Sequence, residues 1–383
     1  MADARIRLGM VGGGRGAFIG GVHRIAARLD DRYELVAGAL SSKPEVARAS
    51  AEDLHLDPER SYGSYEEMFA AEAKREDGIE AVSIVTPNHM HFPVAKAALE
   101  AGIHVICDKP VTRTLDEALE LEKLVAAGDR LFALTHNYSA YPLVRYAREL
   151  VERGELGKVR LIQVEYPQEW LSQEPDADNK QAAWRADPKL AGQAGALGDI
   201  GTHAFQLASF ISQLELDSLS ADVMNIVPGR QVDDNVHVMM RYQGGARGTL
   251  WCSQVAPGCE NGLRIRIFGD KAGLSWAQEA PNELWFTPLC MPHKRITRRN
   301  DNIDSEVATR GMRIPQGHPE GYLEGFANLY TDIADSLVAR RKGERHPMEV
   351  WVPGIETGVL GMRFIKAVLD SSAAEGRWTS LPT

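Results

Sequence analysis

A run of glycines near the start of the chain leaves few folds open. Gly12-Gly13-Gly14-Arg15-Gly16-Ala17 follows an apolar, strand-like stretch at residues 5–11 and opens a helical pattern at residues 17–29. Glycines at such a junction let the backbone turn tightly and come close to a pyrophosphate, which the free amides and dipole of the helix N-terminus stabilise. Three glycines also make a flexible turn with no ligand; their placement between a strand and a helix is what favours the binding role. Ala17 occupies the slot of the usual third glycine, and Gly20-Gly21 come later. Contact with a dinucleotide is therefore expected to extend from Gly12, Gly14, Arg15, Gly16 and Ala17 through Phe18 and Ile19.

The rest of the first third supports the same fold. Strand patterns at residues 33–40, 81–85, 103–107 and 131–135 alternate with helices marked by Pro44, by the capping-box spacings at Ser64 and Thr114, and by a stop at Gly102. Such alternation calls for a doubly wound parallel sheet of the Rossmann kind, covered on both faces. Beyond residue 136 the pattern changes. A helix at residues 142–153, a strand at 159–166 and a helix at 198–211 precede strands at 236–242, 248–254 and 263–268, which Gln243-Gly244-Gly245 and residues 258–262 are expected to join as hairpin loops. This is an α+β domain with a mostly antiparallel sheet. Residues 287–319 read as a long, basic, irregular loop, and helices return at 322–340 and 352–371. At 383 residues the chain exceeds one core. We expect domains at 1–135 and 136–383, with the final helix packing back on the first.

A formal charge of -10 argues against nucleic acid, which needs a concentrated positive field. No apolar run reaches the roughly 18 residues that span a bilayer, and the first residues lack a signal-peptide profile, so a cytoplasmic location is expected. Cys107, Cys252, Cys259 and Cys290 contain no Cys-x-x-Cys pair and read as buried, reduced thiols.

Several segments can carry chemistry. After the second strand, Ser41-Ser42-Lys43 stands where an acid often binds the ribose hydroxyls and repels a 2′-phosphate; NAD and NADP both remain open. Thr86-Pro87-Asn88-His89-Met90-His91 follows a strand at the carboxyl edge, where Thr86, Pro87, Asn88 and His91 can meet the cofactor. His89 and His91 have no acid-and-histidine partners at metal-ligand spacing, so no metal is expected. Asp108-Lys109-Pro110 ends the next strand at the same edge, and an ammonium there can stabilise a developing alkoxide or polarise a carbonyl. Asp199 and His203, four residues apart at the start of a helix, can form a proton-accepting pair. An N-capping aspartate with a core histidine is the alternative.

These segments together resemble the Gfo/Idh/MocA family, over nearly the whole chain. The likeness rests on the glycine turn ending in Val22-His23, on Thr86-Pro87-Asn88 with His91, on Asp108-Lys109-Pro110, and on Gly198-Asp199-Ile200-Gly201-Thr202-His203. The resemblance implies a Rossmann domain followed by a domain whose large, mostly antiparallel sheet often mediates homo-oligomers, dimers or tetramers. It implies that Lys109, Asp199 and His203 form the catalytic group, with Asp108 in place of the commoner glutamate. Asn137 and Tyr138, of His136-Asn137-Tyr138, would line the junction of nicotinamide and substrate. Trp184-Arg185 and the loop containing His318 look like those of members acting on pyranosides, anhydrosugars or inositols. With Tyr166 and Trp170 they offer aromatic faces and donors to a ring bearing several hydroxyls.

The expected activity is hydride transfer at a secondary alcohol carbon of a sugar, anhydrosugar, glycoside or cyclitol, with NAD or NADP. A rival is a glycosidase that oxidises its sugar transiently with no net redox change; a non-catalytic cofactor sensor is the third reading.

Overall fold

Five strands of the N-terminal half are short apolar runs, and strands of that kind are stable only when both faces are covered. β1 (Ile6–Gly12), β2 (Tyr33–Ala39), β3 (Ala81–Val85), β4 (His104–Cys107) and β5 (Phe132–Leu134) pair in parallel in the order β2-β1-β3-β4-β5. Every residue of β3 and β5 is buried. The order reverses between β1 and β3, so a crevice for a ligand is expected at their carboxyl ends. Local signals act as their chemistry predicts. The Ser64 side chain accepts from Glu67 N, Thr114 and Glu117 complete a capping box, Pro44 opens its helix, and Gly102 at φ +76° follows the helix His91–Glu100.

The computed structural model describes residues 5–173, 192–298 and 303–382. By their contacts these divide into two compact units, Met1–Asn137 with Tyr322–Val359, and Tyr138–Gly321 with Leu360–Thr383. In the first unit the helix Tyr322–Arg341 packs on the helix Phe18–Leu29. The joint is polar as well as apolar. The buried Tyr330 hydroxyl lies 2.8 Å from His23 Nδ1 and 2.7 Å from Ser83 Oγ, and its carbonyl accepts from the Tyr33 hydroxyl at 2.8 Å. Burial pushes the His23 imidazole down to about 4, so it is neutral at ordinary pH.

The second unit is built on an eight-stranded sheet, with β6 (Val159–Pro167), β7 (Leu216–Met224), β8 (Asn235–Tyr242), β9 (Arg247–Ser253), β10 (Arg264–Gly269), β11 (Ala272–Ala277), β12 (Glu283–Pro288) and β13 (Lys294–Thr297). Their order is β13-β12-β11-β10-β6-β9-β8-β7. All pairs are antiparallel except β6 with β9. Alternating burial along β8 to β11 turns one face to the helices Pro142–Glu152 and Thr202–Ser212. The opposite face exposes Leu161, Met239, Phe268 and Trp285.

Three expectations are corrected. Residues 258–262 do not close a hairpin, because the earlier strand β6 lies between β9 and β10 and the chain must cross it. The region expected as one long loop contains an edge strand, β13, and a short helix, Glu306–Thr309; its basic residues Lys294 and Arg295 belong to that strand, where edge charges discourage further pairing. Only Cys107 and Cys252 are buried, whereas Cys259 is half-buried and Cys290, at φ +60°, is exposed on a turn.

Replacing Tyr330 by Phe removes one hydroxyl and leaves two buried partners. We expect a loss of about 1–3 kcal/mol in urea unfolding; an unchanged midpoint would show that the hydroxyl is dispensable to this joint.

Candidate active site

The glycine turn is shaped by lack of space. Gly12, Gly13 and Gly16 have φ of +81°, +73° and +81°, a region that side chains disfavour. A Cβ on Gly12 would stand 2.9 Å from the Val85 oxygen, and one on Gly14 would stand 2.7 Å from the Leu40 oxygen. The displaced glycine has a place too: a Cβ on Gly20 would come within 2.4 Å of Gly13 Cα, so Gly20 permits the close contact of helix and turn. The helix Phe18–Leu29 starts after Ala17 with no side-chain cap and no acid in its first turn, which leaves its first amides for an anionic ligand. The Arg15 guanidinium pairs with exposed Asp53 at 2.6 and 2.7 Å, and its amide donates to Ser50 Oγ. Beyond β2, Ser41 Oγ accepts from Lys43 N, and Ser42 and Lys43 are exposed.

The next two strand ends are tied to each other. The buried His91 places Nδ1 2.7 Å from the Pro110 oxygen and Nε2 3.0 Å from the Thr86 oxygen. It therefore sits between the Thr86-Pro87-Asn88 turn and the Asp108-Lys109-Pro110 turn; burial lowers its pKa, and the neutral ring donates to one of the two carbonyls. Asp108 Oδ1 accepts from Thr135 Oγ1 and from Lys109 N, each at 2.9 Å; the acid is thus fixed to its own strand edge. Burial pushes the neighbouring His136 imidazole down to about 3, with the Lys109 ammonium acting in the same direction and Asp108 opposing it. Two buried polar atoms here, Thr86 Oγ1 and Asn137 Nδ2, find no hydrogen-bond partner among the described residues. Orphaned groups of this kind are costly unless a ligand or water completes them. A tight glycine cradle, an uncapped helix start and orphaned atoms at the same sheet edge all fit a dinucleotide. His89 is near this edge, but among the described residues no three His, Cys, Asp or Glu side chains gather as a metal would require.

In the second unit Asp199 and His203 lie at the opening of one helical element. Its first turn, Leu197–Gly201, is π-helical and runs into the α-helix Thr202–Ser212; such wide turns recur at functional sites. Asp199 Oδ2 accepts from Gln254 Nε2 at 2.9 Å. His203 is 7% exposed and meets the Tyr138 ring edge-on, with centroids 4.8 Å apart. Tyr138 belongs to a directed chain. Asn261 Oδ1 can only accept, so Tyr166 donates to it at 2.7 Å and accepts from Tyr138 at 2.6 Å. Gln168 Nε2 donates to the same Asn261 oxygen at 2.8 Å, and Gln168 Oε1 accepts from Trp170 Nε1 at 2.9 Å. Burial raises the Tyr138 phenol to about 12, which keeps it a donor.

Trp170 is partly exposed at the end of this chain. The His318 side chain is exposed as well, in a segment held by the buried ion pair of Arg298 and Glu320 at 2.8 Å. Trp184 and Arg185 lie outside the described residues. Gln168, Gln254 and Asn261 were not singled out from the sequence. A signal existed for two of them: Gln168 and Gln254 each sit one residue past the carboxyl ends of β6 and β9, the one parallel pair of their sheet among the described residues.

Fold and cradle define a dinucleotide-binding oxidoreductase. Residues 6–136 match the model of an oxidoreductase family with an NAD-binding Rossmann fold, and residues 144–275 match the GFO/IDH/MocA C-terminal domain. The chain belongs to the Gfo/Idh/MocA family of oxidoreductases. An oxidoreductase of known structure from Sinorhizobium meliloti is 53% identical, with 99% of this chain and 100% of that one covered at a TM-score of 0.90. An inositol dehydrogenase homolog from Azotobacter vinelandii, solved in complex with NADH and myo-inositol, is 36% identical, covering 99% and 98% at a TM-score of 0.92. Levoglucosan dehydrogenase of Pseudarthrobacter phenanthrenivorans is 30% identical over 302 residues, 73% of this chain and 75% of that protein.

Forcing a Cβ into the left-handed region costs about 1–2 kcal/mol, and at Gly12 it also meets the Val85 carbonyl. Gly12→Ala should weaken NADH binding in a fluorescence titration by roughly tenfold or more, with far-UV circular dichroism preserved. Wild-type affinity would mean that the turn does not cradle the dinucleotide.

Proposed function

We propose that the protein is a dehydrogenase that oxidises a secondary alcohol carbon of a sugar, anhydrosugar, glycoside or cyclitol, or reduces the corresponding ketone. The observation that carries this reading is a buried His203 imidazole packed on Tyr138, on the same helical opening as a carboxylate held by Gln254, with Tyr138 joined through Tyr166 and Asn261 to an amide and an indole suited to a ring with several hydroxyls. The complex of one related protein with myo-inositol and the name of the levoglucosan enzyme support the same class of substrate.

When bound, the nicotinamide supplies the hydride acceptor. His203 takes the hydroxyl proton, and Asp199 orients the substrate or the imidazole. Lys109 stabilises the negative charge that develops on the oxygen. Thr86, Asn88, Asn137 and the glycine turn hold the dinucleotide. No acid follows β2 to repel a 2′-phosphate, since the residues there are Ser41, Ser42 and Lys43, so NADP is accepted beside NAD. Trp184, Arg185 and His318 are proposed to contact cofactor or substrate. Four unpaired cysteines fit a reducing, cytoplasmic setting. A homo-oligomer, dimer or tetramer, would cover the apolar side chains on the open face of the eight-stranded sheet.

The test is a panel of inositols, hexoses, anhydrosugars and glycosides with both dinucleotides, followed by Lys109→Ala and His203→Ala on the best substrate. Each variant should lose turnover by roughly 10²–10⁴-fold while NADH affinity stays near wild type. Full turnover in both variants refutes these roles, and release of aglycone with no net reduced cofactor would identify the redox-neutral glycosidase instead.

A further inference from the structure

The opening turn that presents Asp199 and His203 has no cap of its own. Ala196, at its N-cap position, makes no side-chain hydrogen bond, and the first amides of a helix need acceptors from elsewhere. Asp233, from the segment before β8, supplies one to Leu197, the first residue of the turn, and two more to the residues that lead into it. Its Oδ1 accepts from Gly195 N at 2.6 Å, its Oδ2 from Leu197 N at 2.7 Å, and its main-chain oxygen from Ala196 N at 2.9 Å. Three consecutive amides are thus satisfied by one residue that is 4% exposed. The fit leaves no slack. A Cβ on Gly195 would stand 2.1 Å from the Asp233 oxygen, so glycine is required where the two segments meet.

The adjacent residue reaches the same carboxylate by a second route. The Asp234 main-chain oxygen accepts from Gln254 N at 2.8 Å, and Gln254 Nε2 holds Asp199 Oδ2. The Asp234 side chain is itself fixed by the amides of Ile226 and Val227 at 2.8 and 2.9 Å. The Asp233-Asp234 pair therefore controls Asp199 through its backbone, at the opening turn, and through its side chain, at Gln254.

We infer that Asp233 is a positioning residue for the proposed reaction, setting the turn from which Asp199 and His203 meet the substrate. The inference rests on the roles given to those two residues above. Burial pushes the Asp233 carboxyl up to about 6 while the Leu197 and Gly195 amides pull it down, so above that pH it is a carboxylate with both oxygens able to accept. Asn in its place keeps the size but turns one acceptor into a donor facing an amide N–H.

The experiment compares wild type with Asp233→Asn by the ring-proton NMR signals of His203, by NADH affinity, and by kcat and KM per NADH-titrated site. The His203 signals should shift, NADH affinity should hold, and kcat should fall roughly 10–100-fold, as expected of a small misplacement, with KM changed less. A merely structural cap would leave the His203 signals and the kcat per folded site at wild-type values, and that result overturns the inference. If His203→Ala keeps full turnover while Asp233→Asn still shifts the ring signals, the catalytic reading fails and the positioning geometry survives. Should Asp233→Asn not fold, hydrogen exchange on the wild-type protein decides. Amides 195–197 are expected to be as protected as those of the helix Thr202–Ser212, and fast exchange there contradicts the cap.

Discussion

At Gly12 the main chain leaves β1 beside the carbonyl of Val85, at a separation that excludes even a methyl group. That approach is possible only because β1 and β3 are parallel neighbours, and it places the glycine turn at the point where strand order reverses. From there the consequences are geometric. The helix Phe18–Leu29 begins without a side-chain cap just past the turn, and the turns after β3 and β4 stand at the same edge. His91 is buried between those two turns, within hydrogen-bond distance of a backbone carbonyl from each. Cofactor chemistry depends on this edge because its main-chain groups are fixed before any ligand arrives, so little ordering cost remains.

The second unit solves a different problem. It fixes the Asp199 carboxylate through Gln254 and packs the His203 imidazole on Tyr138, both at the opening of one helical element. Parallel pairing of β6 with β9 brings Gln168 and Gln254 to one edge of the sheet, and from there Gln168 reaches Asn261 and Gln254 reaches Asp199. The Tyr138 and Tyr166 hydroxyls and the Gln168 amide each have an acceptor. A satisfied buried network of this kind is rigid, whereas a partly satisfied one is costly. Rigidity at Tyr138 passes directly to the ring of His203.

Much of the fold was legible because its signals are local. β3 was read to the residue at 81–85, and the caps at Ser64 and Thr114 form the bonds that their spacing implies. The glycine turn, Asp108-Lys109-Pro110 and Asp199 with His203 were also visible as short motifs. What escaped depends on pairing distant in sequence. Insertion of β6 between β9 and β10 cannot be inferred from a turn at residues 258–262. The contribution of Gln254 to Asp199 and of Asp233 to residues 195–197 crosses 36 to 55 positions, with no periodicity to betray it. The π-turn is hidden for the same reason, since its first amide, that of Leu197, is satisfied by Asp233 far along the chain rather than by a capping side chain nearby.

Whether Lys109 and His203 serve one reacting hydroxyl is decided most directly by a double-mutant cycle. Hydride transfer would be followed by nicotinamide absorbance in a single turnover, for Lys109→Ala, His203→Ala and the two combined. Residues acting on the same oxygen in one transition state give losses that fall well short of additive. Strictly additive losses, with each variant slowed independently of the other, would contradict a shared reacting centre.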